Sequence, residues 1–107
     1  MAPSLETTRQ IQFQMILETL LGNEHVYFQP PTNIQMEYPA IVYELDYVNT
    51  TFADDFPYHS KKRYQVTLIH ADPNNDVKTK IGQLQMTRFV RHFRAGNLNH
   101  YIFNTYF

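Results

Sequence analysis

Two stretches of strict alternation constrain this chain most. In AIVYELDYVNTTF, starting at Ala40, residues Ile41, Tyr43, Leu45 and Tyr47 alternate with Val42, Glu44, Asp46 and Val48. In RYQVTLIHA, starting at Arg63, residues Tyr64, Val66 and Leu68 alternate with Gln65 and Thr67. Side chains on an extended strand point alternately to its two faces, so a repeat of two predicts a pair of strands, each with one better-buried face.

A strand face buried on one side needs a second layer, and the sequence supplies one. Between Thr7 and Leu21, residues Phe13, Ile16, Leu17, Leu20 and Leu21 fall at the spacing of one helix stripe. Ser4 or Thr7 is placed to cap its start, and Gly22-Asn23 to stop it. After DPNND, Asn75 or Asp76 is placed to cap a second, short helix carrying Val77, Ile81 and Leu84. Gly82 lies inside this helix and weakens it by about 1 kcal/mol relative to Ala.

Val26–Phe28 reads as a short edge strand, followed by QPPTNIQMEYP, whose prolines lack ladder donors and favour an extended connection. MTRFVRHFR and NLNHYIFNTYF flank Ala95-Gly96-Asn97, a strong hairpin signal. The order of elements predicts an α+β domain: a mainly antiparallel sheet of about four to five strands, with an N-terminal helix and a second short helix packed on one face. The 107 residues form a single domain, residues 1–107, and that length suffices for a core without disulfides.

With no cysteine the chain has no disulfide framework and no thiolate chemistry. MAPSLETTRQIQFQ has neither a basic nor an apolar leader segment, and the longest apolar runs are only a few residues, so a soluble chain with no membrane partner is expected. A formal charge of −1 gives no global attraction for nucleic acid.

Candidate chemistry is thin. Five histidines, His25, His59, His70, His92 and His100, are the obvious ligands or bases, but no pair has the helical spacing of a zinc site. A two-residue turn in the last hairpin pairs His92 with an odd-numbered residue, which puts His100 on the other face. Asp72, Asn74 and Asp76 begin like a calcium loop, yet Val77 and Gln83 stand where it needs Gly and Glu. The neighbouring Asp54 and Asp55 point apart on an extended chain and make no proton-sharing dyad. Ser4 and Ser60 lie in no nucleophile context, and three glycines form no phosphate loop. The expectation is no catalytic residue, no metal and no cofactor.

Strict alternation along MTRFVRHFR puts Phe89, Arg91 and Phe93 on one face and Arg88, Val90, His92 and Arg94 on the other. A basic and aromatic face of this kind suits single strands of nucleic acid, but the near-zero net charge argues against that use. Eight Tyr and eight Phe exceed what two short helices cover, and aromatic residues are enriched at protein interfaces. Between the first two strands, TTFADDFPYHSKK is too long for a tight turn and reads as a long hairpin tip.

RHFRAGNLNHYIFNTYF, at the end of the chain, resembles the C-terminal hairpin of small neck proteins of long-tailed bacteriophages, the tail terminator or tail-completion (tail-to-head joining) family. The NLNH stretch is the distinctive part, and YPAIVYEL and RYQVTLIHADPNND are similar to that family in order and spacing. The resemblance implies a structural virion protein made in the host cytoplasm and located in the tail or neck. Such a protein closes as a homo-oligomeric, hexameric ring on the tail tube protein, presents a surface to the head connector, and lets DNA pass without specific binding. It carries over no catalytic residue. The alternatives are a small adaptor, another neck or connector ring protein, or an enzyme with an unrecognised site. The residues expected to contact a neighbouring subunit or the tail tube are Phe52, Asp54, Asp55, Phe56, Tyr58, Lys61 and Lys62 in the hairpin tip, with Tyr106 and Phe107 at the C-terminus.

Overall fold

The computed structural model describes the backbone of residues 5–53 and 56–107, and the side chains of residues 8–46 and 62–107. Helix α1 spans Leu5–Leu21, strand β1 Val26–Phe28, β2 Ala40–Ala53, β3 Phe56–His70, helix α2 Val77–Gly82, β4 Thr87–Ala95 and β5 Leu98–Tyr106. The strands form one mixed sheet in the order β1-β2-β3-β5-β4, with both helices on one face, the α+β arrangement that the alternating segments require.

α1 presents Phe13, Leu17 and Leu21 to the sheet, where all three are buried, while Ile16 and Leu20 flank the stripe half-buried. Gly22 ends the helix at φ 86°, a left-handed conformation open to glycine without steric cost. The helix starts two residues before Thr7, so Thr7 is a helical residue and not its cap. α2 is shorter than its pattern suggests: Val77 and Ile81 are buried, and Leu84 follows the helix half-buried. Its first turn is capped by Asn75, whose Oδ1 accepts from the Lys78 amide at 3.0 Å.

β1 runs parallel to β2, pairing Val26 with Ile41 and Phe28 with Tyr43. A parallel neighbour needs a crossover, and the proline-bearing residues 29–39 provide it across the face opposite the helices, where Pro31 and Met36 lie over Val42 and Thr67. His25 ties this crossover down, with Nε2 3.0 Å from Glu37 and Nδ1 3.3 Å from the Pro39 carbonyl.

The predicted loop TTFADDFPYHSKK is instead mostly paired strand. β2 and β3 stay paired from Ala40↔Ile69 out to Ala53↔Phe56, with register shifts at Leu45/Tyr47 and Thr51/Phe52, and only residues 54 and 55 separate them. Since β5 reaches only Arg63 of β3, and β1 only Tyr43 of β2, the distal part of this hairpin is a two-stranded ribbon leaving the sheet. The ribbon gives the molecule a longest extent of 52 Å and a radius of gyration of 15.1 Å, against about 13 Å for a compact chain of this length.

The aromatic surplus has a partly internal destination. Phe13 is the hub of a ring cluster, 5.4 Å from Tyr43 edge-on, 5.0 Å from Tyr64 and 5.0 Å from Phe107 in a stack. Phe28 closes on Tyr43 at 4.8 Å. Tyr43 is fully buried, and α1 satisfies its hydroxyl: it donates to Gln14 Oε1 at 2.7 Å and accepts from Gln10 Nε2. The terminal Phe107 therefore belongs in large part to its own core, with the Arg9 guanidinium 5.0 Å from its ring.

Candidate interaction surface

Among the described residues, the least covered strand is β4. It lies at one edge of the sheet, and from Arg88 to Ala95 every residue is exposed, including Phe89 at 53%, Val90 at 47% and Phe93 at 38%. The sequence places it there through the last hairpin: Gly96 and Asn97 stand at φ 59° and 63°, the two left-handed residues of a tight turn that joins Ala95 to Leu98. β5 is consequently central and largely buried, and β4 peripheral.

The faces of β4 differ from strict alternation. Phe89 pairs with Phe103 and Arg91 with Ile102, so Val90 is an extra, bulged residue. A bulge reverses the side-chain phase beyond it. Phe89, His92 and Arg94 thus share the helix side with Phe103, Tyr101 and Asn99, while Arg88, Arg91 and Phe93 share the opposite side with Asn104, Ile102 and His100. The grouping of Phe89 with Arg91 and Phe93 is corrected accordingly. Two arginines now flank an aromatic pair, since Phe93 stacks on His100 at 4.7 Å and Arg91 lies 5.2 Å from the Phe93 ring.

Among the described residues none of Arg88, Arg91 and Arg94 forms an ion pair; the pairs formed are Arg63–Asp46, Lys80–Asp76 and His25–Glu37. On the helix side, an apolar cleft of about 430 Å³ opens between α2 and the hairpin, lined by Phe89, His92, Tyr101, Phe103 and Lys78. Two of its polar side chains are engaged: Lys78 Nζ donates to the Pro73 carbonyl at 2.6 Å and lies over Tyr101, and His92 bonds Asn99 Oδ1 at 3.0 Å while stacking on Tyr101. A second hollow, about 350 Å³, lies beside Arg9, Ile16, Met86 and Phe107.

Asn99 is a residue whose importance the strand pattern hides. It is buried, and its Nδ2 donates to the His70 and Ala71 carbonyls at 3.2 and 3.4 Å, bolting the final hairpin to the end of β3. The NLNH stretch is thus a structural unit in which Asn97 makes the turn, Asn99 the bolt and His100 the stack on Phe93.

Among the described residues the histidines do not converge, and the side chain of His59 lies outside them. His70 accepts from the Asp72 amide at 3.0 Å, His92 and His100 lie on opposite faces as the turn length requires, and no metal-holding cluster forms among the described residues. Asp72 Oδ1 accepts from the Asn74 amide at 2.9 Å, so DPNND is a turn leading into α2. Of the residues expected at a contact, the side chains of Phe52, Phe56, Tyr58 and Lys61 and the whole of Asp54 and Asp55 lie outside the described residues. Lys62 is half-buried, and its carbonyl accepts from the Phe107 amide at 3.0 Å. Tyr106 and Phe107 are half-buried at the sheet end where the ribbon begins. No protein-family model matches the chain, and no curated protein matches it.

Proposed function

We propose that the chain is a structural assembly protein, a subunit of a ring in the neck of a long-tailed phage. In this role it caps the tail tube and joins it to the head connector. The observation that carries the reading is the unspent surface of β4, an edge strand with exposed Phe89, Val90 and Phe93 and three arginines without acidic partners among the described residues. Large apolar side chains on an open edge invite pairing with another chain, and soluble proteins cover or blunt such edges. The bulge and the arginines of β4 are blunting devices that leave the edge usable by a matching partner.

A cyclic ring uses two different patches per subunit, and the molecule offers two candidates: the β4 edge and the projecting ribbon. The formal charge of −1 suits a ring whose lumen passes DNA without holding it. The reading rests also on the resemblance of the NLNH hairpin and of the order of the sequence motifs to tail terminator and tail-completion proteins. Epitope-tagged chain located by electron microscopy on purified virions tests the proposal. Label at the junction of tail and head is expected; label in the infected cytoplasm alone overturns it.

A further inference from the structure

The charges of this chain are sorted along its length. Between residues 10 and 46 it carries Glu18, Glu24, Glu37, Glu44 and Asp46 and no Lys or Arg, and from residue 77 to 107 it carries Lys78, Lys80, Arg88, Arg91 and Arg94 and no Asp or Glu. The strand order β1-β2-β3-β5-β4 sends the two sets to opposite ends of one sheet. Glu24 and Glu44 are exposed at the β1–β2 end, where His25 also holds Glu37, and Arg88, Arg91 and Arg94 are exposed at the β4 end.

Register sharpens the match. One cross-strand row runs Glu44, Gln65, Asn104, Arg88, so a carboxylate and a guanidinium stand at its two ends on the face away from the helices. The adjacent row runs Phe28, Tyr43, Val66, Phe103, Phe89 on the helix face and ends on both sides in an exposed phenylalanine, Phe28 at 38% and Phe89 at 53%. Opposite charges and paired aromatics across strands stabilise a sheet, whereas like charges directly opposite destabilise it. A two-fold axis at either edge would set arginines against arginines or glutamates against glutamates; an end-to-end contact sets each against its complement.

We propose that β4 of one copy docks against the β1–β2 edge of the next, with Arg88 meeting Glu44 and Phe89 meeting Phe28. This rests on the ring reading and names a second surface that matches β4 more closely than the ribbon does. Contacts between unlike patches repeat without a two-fold axis and close as a ring when the rotation permits. The charge pairs fix direction and register, and the two phenylalanines become the covered centre of the contact.

Charge reversal tests this by sedimentation over a concentration series, with circular dichroism and melting checking each fold. One chain carries Arg88→Glu and Arg94→Glu, which leaves the Arg91 contact with Phe93 in place; the other carries Glu24→Lys and Glu44→Lys, which spares the ion pairs of Glu37 and Asp46. Arg88→Glu or Glu44→Lys alone serves where a double variant does not fold. Each chain alone is expected to self-associate at least about tenfold more weakly than the wild type, and an equal mixture to regain association, because every mixed contact again joins opposite charges. A chain with Arg88→Cys and Glu44→Cys reads the register: within one copy the two positions lie three strand spacings apart, about 14 Å, so a disulfide joins only different copies. The chain has no cysteine of its own, and oxidation is expected to give a ladder of linked copies. If either charge variant self-associates as the wild type does, or if a self-associating cysteine chain gives no ladder, β4 meets another surface and the inference fails with the ring reading intact. A wild-type chain that stays monomeric throughout, whether or not single-stranded DNA binds its arginines, overturns the inference; the ring reading falls with it only if the chain is also missing from the junction of tail and head.

Discussion

Replacing Phe107 with Ala separates the two destinations open to the aromatic C-terminus, its own core or a neighbouring subunit. Fully burying a Phe side chain is worth about 1.5–3 kcal/mol. Phe107 is half-buried, so its share is about 1–2 kcal/mol. The stack on Phe13 at 5.0 Å adds about 0.5–1.5 kcal/mol, and the Arg9 guanidinium 5.0 Å from the ring adds about 0.5 kcal/mol. The amide of residue 107 still reaches the Lys62 carbonyl, so the loss is confined to the side chain. The expected cost is about 3 kcal/mol, or more than about 10 °C in the melting temperature of a domain this size. Urea denaturation of the dilute monomer, with Phe107→Leu as the partial variant, measures it. A loss below about 0.5 kcal/mol, accompanied by weakened self-association, would show that the ring is used between copies, and the account of the core would be wrong.

Burial pushes the Tyr43 hydroxyl up to about 12, against the opposing hydrogen bond from Gln10 and with small additions from Tyr64 and Glu18. The neutral form is therefore favoured in the fold. This contribution, on the order of 2 kcal/mol, is fully present below about pH 10 and is lost as pH rises through the folded value. Ultraviolet titration should show Tyr43 ionising late or only on unfolding, and Tyr43→Phe should abolish that step. Asn99→Ala removes the donor shared by the His70 and Ala71 carbonyls and should cost about 1 kcal/mol; an unchanged urea midpoint would deny the bolt. Gly96→Val forces a β-branched residue into the left-handed first position of the turn and should cost at least about 1 kcal/mol. Hydrogen exchange should speed up in β4 before the rest of the sheet.

The fold was legible where one physical rule acts alone. Period-two runs gave β2 and β3, the apolar stripe gave α1, and Gly96-Asn97 fixed the last hairpin because few residues accept two successive positive φ angles. Three features depend on tertiary geometry and were not legible. The parallel setting of β1 rests on three residues and a crossover. The bulge at Val90 leaves no composition signal, yet it reverses which arginines accompany Phe93. The ribbon looked like a loop because no alternation of polar and apolar residues runs through TTFADDFPYHSKK, and its backbone is held by the pairing of β2 with β3. At the candidate surface, the three arginines were visible as residues, but their position on an open edge required the strand order.

The central claim is self-assembly into a ring at the top of a phage tail. Averaged electron microscopy of the head-proximal tail end, with the chain traced in the density, tests it most directly. The account predicts a closed hexameric ring of this chain, with the β4 edge of each copy covered by a neighbour. A tail end in which this chain is absent, or present as an isolated copy with β4 open to solvent, would contradict it.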